Sequence, residues 1–572
     1  MNVKRRELKI NITITILIVI ATYLDIKNNF LITGADSFFH IERVYEIREA
    51  FKAHHFPSWV NFITFHHIGQ AINGMYPDIS LWPLVYITNI LNPVHQIIVI
   101  RSLILALTYL VTRYSISKRF YNINATYSAA IYTLSGMCLR NFNNEIQLGT
   151  AIILIFLFPI VFAIKELIYS KKIEPILIIK LSLLCTIIIY SHLMSIFVLY
   201  LIVGIFILAR LIYHHSIYPI INILLSSTLL ALTSLPILFR YFTISSSKIQ
   251  SVYSKGNVTA INFTDIFTSA SWNSRGALSL VSIILISIVL TNLEKSNLSK
   301  LTPYIYGEIL ILILGTNLAP WSILQNLPLL DSIQDTGWRF LIFSSAIPFI
   351  LLLINFSAKT SEKILHILFV ISICTSIGIY WDFHQSAQKN LAFLDKSTDQ
   401  PLSINDWVKL KSSGINSENI SRDIVPDYAP AQINSEVYNN GSTLSDDLQE
   451  IIFHHFIIID GKKISPSLNY KYNQLTFQTK KSIDVASTVT LPIYNYKTLK
   501  YNVTLNGDKT TYSMSNLGFI ELHNVKKLKT VSVSYSYPKL YVYLVYLSSI
   551  FILTLISLLL HLLQKHKIRN ID

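Results

Sequence analysis

Long apolar runs separated by short polar turns dominate the chain from residue 10 to residue 381, and one more follows at 541–563. At bilayer length these runs predict about 12 membrane-spanning helices. They lie at 10–27, 96–113, 123–139, 149–168, 175–191, 193–212, 217–238, 277–293, 302–318, 339–356, 363–381 and 541–563. A shorter run, Leu81–Leu91, is stopped by Asn92 and Pro93 and reads as an interfacial or half-inserted helix. From 382 to 540 apolar density falls, and from about 466 apolar and polar residues alternate, as in Tyr501–Leu505 and Val531–Tyr535. Asn506 and Gly507, between two such runs, predict a hairpin. The expected fold class is a polytopic α-helical membrane protein with an extracytoplasmic, C-terminal β-rich domain, a small antiparallel sandwich. The expected divisions are a transmembrane domain over 1–381 with a first external loop at 28–95, the extracytoplasmic domain over 382–540, and a final helix with a basic tail over 541–572.

The first loop opens on Gly34–Phe51. Read as a helix, this stretch puts Ile41, Val44, Ile47 and Phe51 on one apolar face and Asp36, His40 and Arg43 on another. Glu42, Glu46 and Glu49 make an acidic ridge beside them. Such faces suit the membrane–water interface. The competing reading is an amphipathic connector whose charges are simply solvated.

Composition supports the membrane reading: the 572 residues are 52% hydrophobic and 14% charged, with mean hydropathy +0.47. The formal net charge of +15 comes from Lys and Arg placed mostly in short loops. That distribution reads as topology and contact with anionic headgroups, and excludes a nucleic-acid footprint. Residues 1–9 form a basic n-region with no cleavage site after the apolar run, hence an uncleaved signal anchor. Both termini are expected in the cytoplasm, with the large domain outside a multi-pass cell-membrane protein. Cys138, Cys185 and Cys374 lie in apolar segments without metal-type spacing and read as packing residues. The paired histidines at 54–55, 66–67, 214–215 and 454–455 also lack metal spacing, so no metal site is expected.

Polar groups collect at the predicted outer ends of the spans: Asp36, His40, Arg43, Arg101, Arg140, Glu145, His192 and Arg339. The span interiors read as nearly free of charge, Lys180 being the main exception. Coupled carriers place ionisable groups near mid-membrane, so this pattern favours an enzyme acting at one surface on a lipid-anchored substrate. Singly, Arg101 and Arg339 read equally as cations snorkelling to headgroups, and His192 as a satisfied turn histidine.

Gly34–Arg43, Phe56–Trp59, Met75–Asp78, Ser135–Gly136, Ser191–His192, Trp338–Arg339 and Asp427–Pro430 together resemble a GT-C glycosyltransferase. The closer resemblance is to bacterial YfhO-like membrane proteins and relatives carrying the domain called "6-pyruvoyl-tetrahydropterin synthase-related". The resemblance spans nearly the whole chain in short pieces. It implies transfer of a sugar from a polyprenyl-phosphate-linked donor to a cell-envelope glycan or teichoic-type polymer on the outer face. Asp36 would then be the general base that deprotonates the acceptor hydroxyl. His40, Arg43, Arg101, Arg140, His192 and Arg339 would bind substrate and the departing lipid phosphate. No organic cofactor is implied, and a divalent cation is left open. The rival readings are a lipid-linked saccharide flippase or exporter and a non-catalytic envelope assembly protein.

Overall fold

The computed structural model describes residues 3–33, 37–143, 146–249, 258–270, 278–391, 393–394, 408–415, 427–433, 435–438 and 441–569. Among them, seven helices are long and apolar enough to cross a membrane, or up to nine if each of two bent pairs counts as one span. The protein is therefore a mostly helical, polytopic membrane protein with a C-terminal β-rich region. Helix α1 (Val3–Asn28) leads into strand β1 (Leu31–Thr33) and helix α2 (Ser37–Lys52). Helix α3 (Pro93–Ser117) packs beside α1 and against α4 (Leu148–Ile168). The expected span at 123–139 is two helices, Asn122–Thr133 and Gly136–Asn143, broken at Leu134–Ser135. Further along come α5 (Leu193–His214), the bent pair α6 (Tyr218–Thr233) and α7 (Leu235–Ser245), and α8 (Thr336–Ser344). Long helices α9 (Ala358–Asn390) and α10 (Lys539–Arg569) complete this set.

Ion pairs fix one end of the bundle and a small sheet the other. Arg6 with Glu362, Arg113 with Glu7 and Arg119 with Glu166 join the start of α1 and α9 to the ends of α3 and α4. At the other end β1 pairs antiparallel with β3 (Val408–Leu410), which also takes β2 (Phe393–Leu394) in parallel. The first loop and the C-terminal region thus lie at the same end of the bundle.

Helix α2 corrects the expectation of an interfacial helix. Ser37, Phe38, His40, Ile41, Glu42, Arg43, Val44, Glu46, Ile47, Arg48 and Ala50 are all buried, so the helix is enclosed on its polar as well as its apolar side. Its acidic ridge is part of the interior. Glu46 accepts hydrogen bonds from the backbone N–H of Phe62, Ile63 and Thr64 and from the Thr64 hydroxyl, and Glu42 accepts one from Phe65 N–H at 2.6 Å. These carboxylates hold a turn in which Phe65, His66 and His67 all have positive φ, a conformation costing roughly 1–2 kcal/mol per residue.

After a two-stranded pair at Ser435–Tyr438 and Gly441–Leu444, the main sheet begins at 457, earlier than the alternation suggested. Strands β4 (Ile457–Ile459), β5 (Lys462–Ile464), β6 (Ser467–Lys471), β7 (Gln474–Tyr494), β8 (Tyr501–Leu505) and β9 (Phe519–Tyr535) belong to one eight-stranded antiparallel network. The expected sandwich is therefore a single hydrogen-bonded sheet. Leu505 pairs with Asp508 across Asn506 and Gly507, both at positive φ, so the predicted hairpin is present. The long β7–β9 ladder cannot be straight, because seventeen residues of strand would span roughly 55 Å. One end is tied through Asn473 to Ser58, while at the other end the Tyr494 N–H reaches Ile68 O at 2.8 Å. The segment between those anchors doubles back, with Asn61 N–H on Gln70 O and Gly74 N–H on Trp59 O, each 2.9 Å. The sheet folds over where the register shifts between Leu528 and Thr530. Its core, including Leu475, Val489, Leu522 and Val531, is continuous with Trp59, Phe62 and Ile68 of the first loop.

Candidate functional site

Three of the predicted site residues meet around the ring of Tyr76, and a fourth, Arg339, joins them through His192. Arg43 is fully buried on α2, with its guanidinium carbon 4.2 Å from the centre of that ring. The same guanidinium donates to Pro77 O at 2.7 Å and Tyr76 O at 3.2 Å. His40, one turn earlier, lies 5.6 Å from the Tyr76 ring, and His192 approaches from the other side at 5.5 Å. His192 stands at the start of α5, and its Nε2 is 2.8 Å from Arg339. Arg339 is set by the first turn of α8, where the Asp335 carboxylate accepts the Trp338 N–H at 3.1 Å.

Donor chemistry constrains the imidazoles. An arginine only donates, so His192 Nε2 presents its lone pair to Arg339, while Nδ1 accepts the Ser195 N–H at 3.2 Å and lies 2.9 Å from Ser195 Oγ. Likewise His40 Nδ1 faces Arg43 at 3.3 Å and keeps its proton on Nε2. Both imidazoles are neutral: burial, then Arg43, lowers the His40 pKa well below 6.5, and burial, then Arg339, His40 and Arg43, does the same to His192. Tyr428 completes the group from the C-terminal segment. Burial and Asp427 push its phenol upward, while Arg43 and Arg339 act in the opposite sense.

The remaining predictions divide. Asp36 and Glu145 lie outside the described residues. Arg140 stacks 4.2 Å over the Trp338 ring, beside Arg339. Arg101 takes its described ion pair from Asp25 at 3.4 Å, and Asp25 also accepts from Tyr380 at 2.7 Å. This makes Arg101 part of a tie between α1, α3 and α9. Nor are the helix interiors nearly free of charge: Asp25, Arg101, Arg240 and Glu308 are all buried within helices. Pairing makes the first three tolerable, and Glu308 accepts a hydrogen bond from Ser344.

Asp78 is fully buried; it binds Arg240 of α7 at 2.8 Å and accepts from Trp82 Nε1 at 2.9 Å. The lone arginine in the apolar run Leu235–Phe242 was the sequence signal for this pair. No protein-family model, curated protein or solved structure matches the chain. Its chemistry is therefore read from the arrangement itself. One guanidinium and two neutral imidazoles face the Tyr76 ring, a second guanidinium is joined through His192, and no group of three or more metal-ligating side chains occurs among the described residues. Such a set suits recognition of an anion, through donors already fixed in place.

Close packing shapes this site. A Cβ on Gly149, in the first turn of α4, would lie 2.6 Å from Ser191 O and 3.6 Å from Tyr76 Cε1. Gly149→Ala is expected to push the Ser191–His192 turn away and break the His192–Arg339 contact. Overpacking of this kind costs about 1–3 kcal/mol. Binding of an anionic ligand should fall by more than the thermal stability, which parallel binding and unfolding measurements will show.

The buried carboxylates give a pH signature. Burial raises Glu42 from 4.5 to about 8 and, despite four donors, Glu46 to about 7. The folded protein then holds protons that the unfolded chain releases, so stability falls as pH rises from about 4.5 through 8. The lowered histidines act oppositely below 6.5, because there the unfolded chain takes up protons that the folded site refuses. The net loss on the alkaline side is expected between pH 6.5 and 8, at up to about 1.4 kcal/mol per pH unit for each carboxyl. Glu42→Gln should flatten that limb of the apparent melting temperature in detergent.

Proposed function

We propose that the protein is a GT-C-type membrane glycosyltransferase that transfers a sugar from a polyprenyl-phosphate-linked donor to an envelope glycan or teichoic-type polymer. The observation that carries this reading is the Arg43–Tyr76–His192–Arg339 group, a preformed anion-recognising set at the end of the bundle nearest the β-rich region. In the proposed reaction the acceptor hydroxyl oxygen bonds to the anomeric carbon as the bond from that carbon to the phosphate oxygen breaks. The bonding pair leaves with polyprenyl phosphate, and the acceptor proton passes to Asp36. Arg339 and Arg43 offset the charge on the leaving phosphate, and neutral His40 and His192 orient it. The reading includes twelve traverses with both termini in the cytoplasm. The shorter helices at 122–143, 175–189, 280–291 and 298–314 would each then cross once.

The test is Asp36→Asn in purified, reconstituted protein, scored by release of polyprenyl phosphate from a panel of lipid-phosphate sugars with envelope acceptor present. Loss of transfer with folding retained is the expected result. Full activity in the variant removes Asp36 from the mechanism. Absence of turnover in wild type across the panel rejects the enzyme in favour of a flippase or exporter, a difference that a lipid-flip assay in the same vesicles reads directly.

A further inference from the structure

The fold of the β7–β9 ladder gathers lysines at the place farthest from its anchors. Lys480 and Lys481 of β7 and Lys526, Lys527 and Lys529 of β9 flank the register shift at Leu528–Thr530. Lys509, after the Asn506–Gly507 turn, joins them because Asn506 accepts from the N–H of Lys529 and Thr530 and donates to Lys527 O. All six are exposed. None makes an ion pair with a described residue, whereas Lys463 on the same sheet is held by Asp447 and Glu450. Only Asp484 and Asp508 offset the charge nearby. Like charges gathered at one bend repel one another, a cost to the compact state that a polyanion would relieve.

The bilayer is the wrong source of that polyanion. Lys529 is six residues before Tyr535, the end of β9 that leads into α10, a distance of about 20 Å along the strand. The potential of a charged membrane surface decays with a length of about 8 Å at physiological salt. We infer that this lysine apex binds a soluble-phase polyanion, a phosphodiester-linked polyol polymer, and holds it as acceptor at the same end of the bundle as the Tyr76 site. The acceptor role rests on the glycosyltransferase reading, and the binding does not.

The experiment uses full-length protein in nanodiscs of zwitterionic lipid, with poly(glycerol phosphate) as probe and uncharged dextran of matched length as comparison. Binding of the phosphate polymer alone, weakening at least tenfold between 50 and 200 mM salt as long-range charge attraction requires, is expected. K480Q/K481Q/K526Q/K527Q should lose at least tenfold in affinity, while K462Q/K471Q on the same sheet stays within twofold. Equal binding of dextran, or a quadruple variant within twofold of wild type, overturns the proposal. Lysine-dependent capture by phosphatidylglycerol vesicles without polymer binding also overturns it, in favour of a membrane contact. If binding behaves as expected but no donor is consumed, the glycosyltransferase reading fails and the binding surface stands. Normal transfer to a neutral acceptor with no polymer binding gives the converse.

Discussion

Asp78→Asn is expected to destabilise the protein by about 3–5 kcal/mol, the cost of leaving a partner charge buried without its counterion. The Asp78 side chain is fully enclosed and that of Arg240 is 2% exposed, so water cannot replace the lost interaction. The carboxylate also accepts from Trp82, and it links the loop at 76–78 to α7 across 162 residues of chain. A double-mutant cycle with Arg240→Met separates pair energy from packing. If the pair serves mainly to satisfy two buried charges, D78N/R240M should recover much of the loss, as apolar replacements of buried pairs often do. The measurement is thermal unfolding in detergent with the four proteins side by side. A single D78N variant within 1 kcal/mol of wild type would show that Arg240 finds another partner. Because Pro77 O and Tyr76 O hold Arg43, the same substitution should also loosen the anion-recognising group. Activity should fall further than unfolding alone explains.

Much of this architecture was legible because membrane burial and strand alternation are written in short-range pattern. Apolar length marked the long helices, and Asn506–Gly507 marked a hairpin because only a few residues adopt two positive φ angles in succession. The site was partly legible for a different reason. His192 and Arg339 are polar residues at the edges of apolar runs, so their positions alone placed them at helix ends. Their contact with each other needed the fold, since partners 147 residues apart leave no local trace. The largest misreading, that of α2, has the same origin. A helix with Glu42, Arg43 and Glu46 reads as amphipathic until the turn at 62–65 supplies backbone donors for its carboxylates. Sequence period reports which residues share a face, and a second element decides whether that face meets water. The sheet likewise kept its alternation but not its layering, because the bend lies in the register shift between β7 and β9.

On the proposed glycosyltransferase reading, Arg339→Ala should reduce turnover by about 100- to 1,000-fold, the scale on which single preorganised donors act on a developing anion. Arg339 differs from Arg43 in being only partly buried, so it is the guanidinium of the pair accessible to a ligand. One nitrogen faces His192 at 2.8 Å and another faces Gln334 at 3.4 Å. This bracing fixes the plane of the guanidinium before any anion arrives. Lysine would keep the charge but offer a single point donor, so Arg339→Lys is expected to recover only a small part of the loss. The pH profile tells electrostatic positioning from simple damage. Arg339 is the charged group that most depresses His192 after burial itself, so removing it should raise the His192 pKa and move the acid limb of activity to higher pH. In Arg339→Lys, where a positive charge remains, that limb should stay closer to wild type even though the rate is low. Unchanged acid limbs in both variants, or turnover of Arg339→Ala within twofold of wild type, would remove Arg339 from the chemistry. Arg43 and Tyr428 would then be the groups left to meet the phosphate.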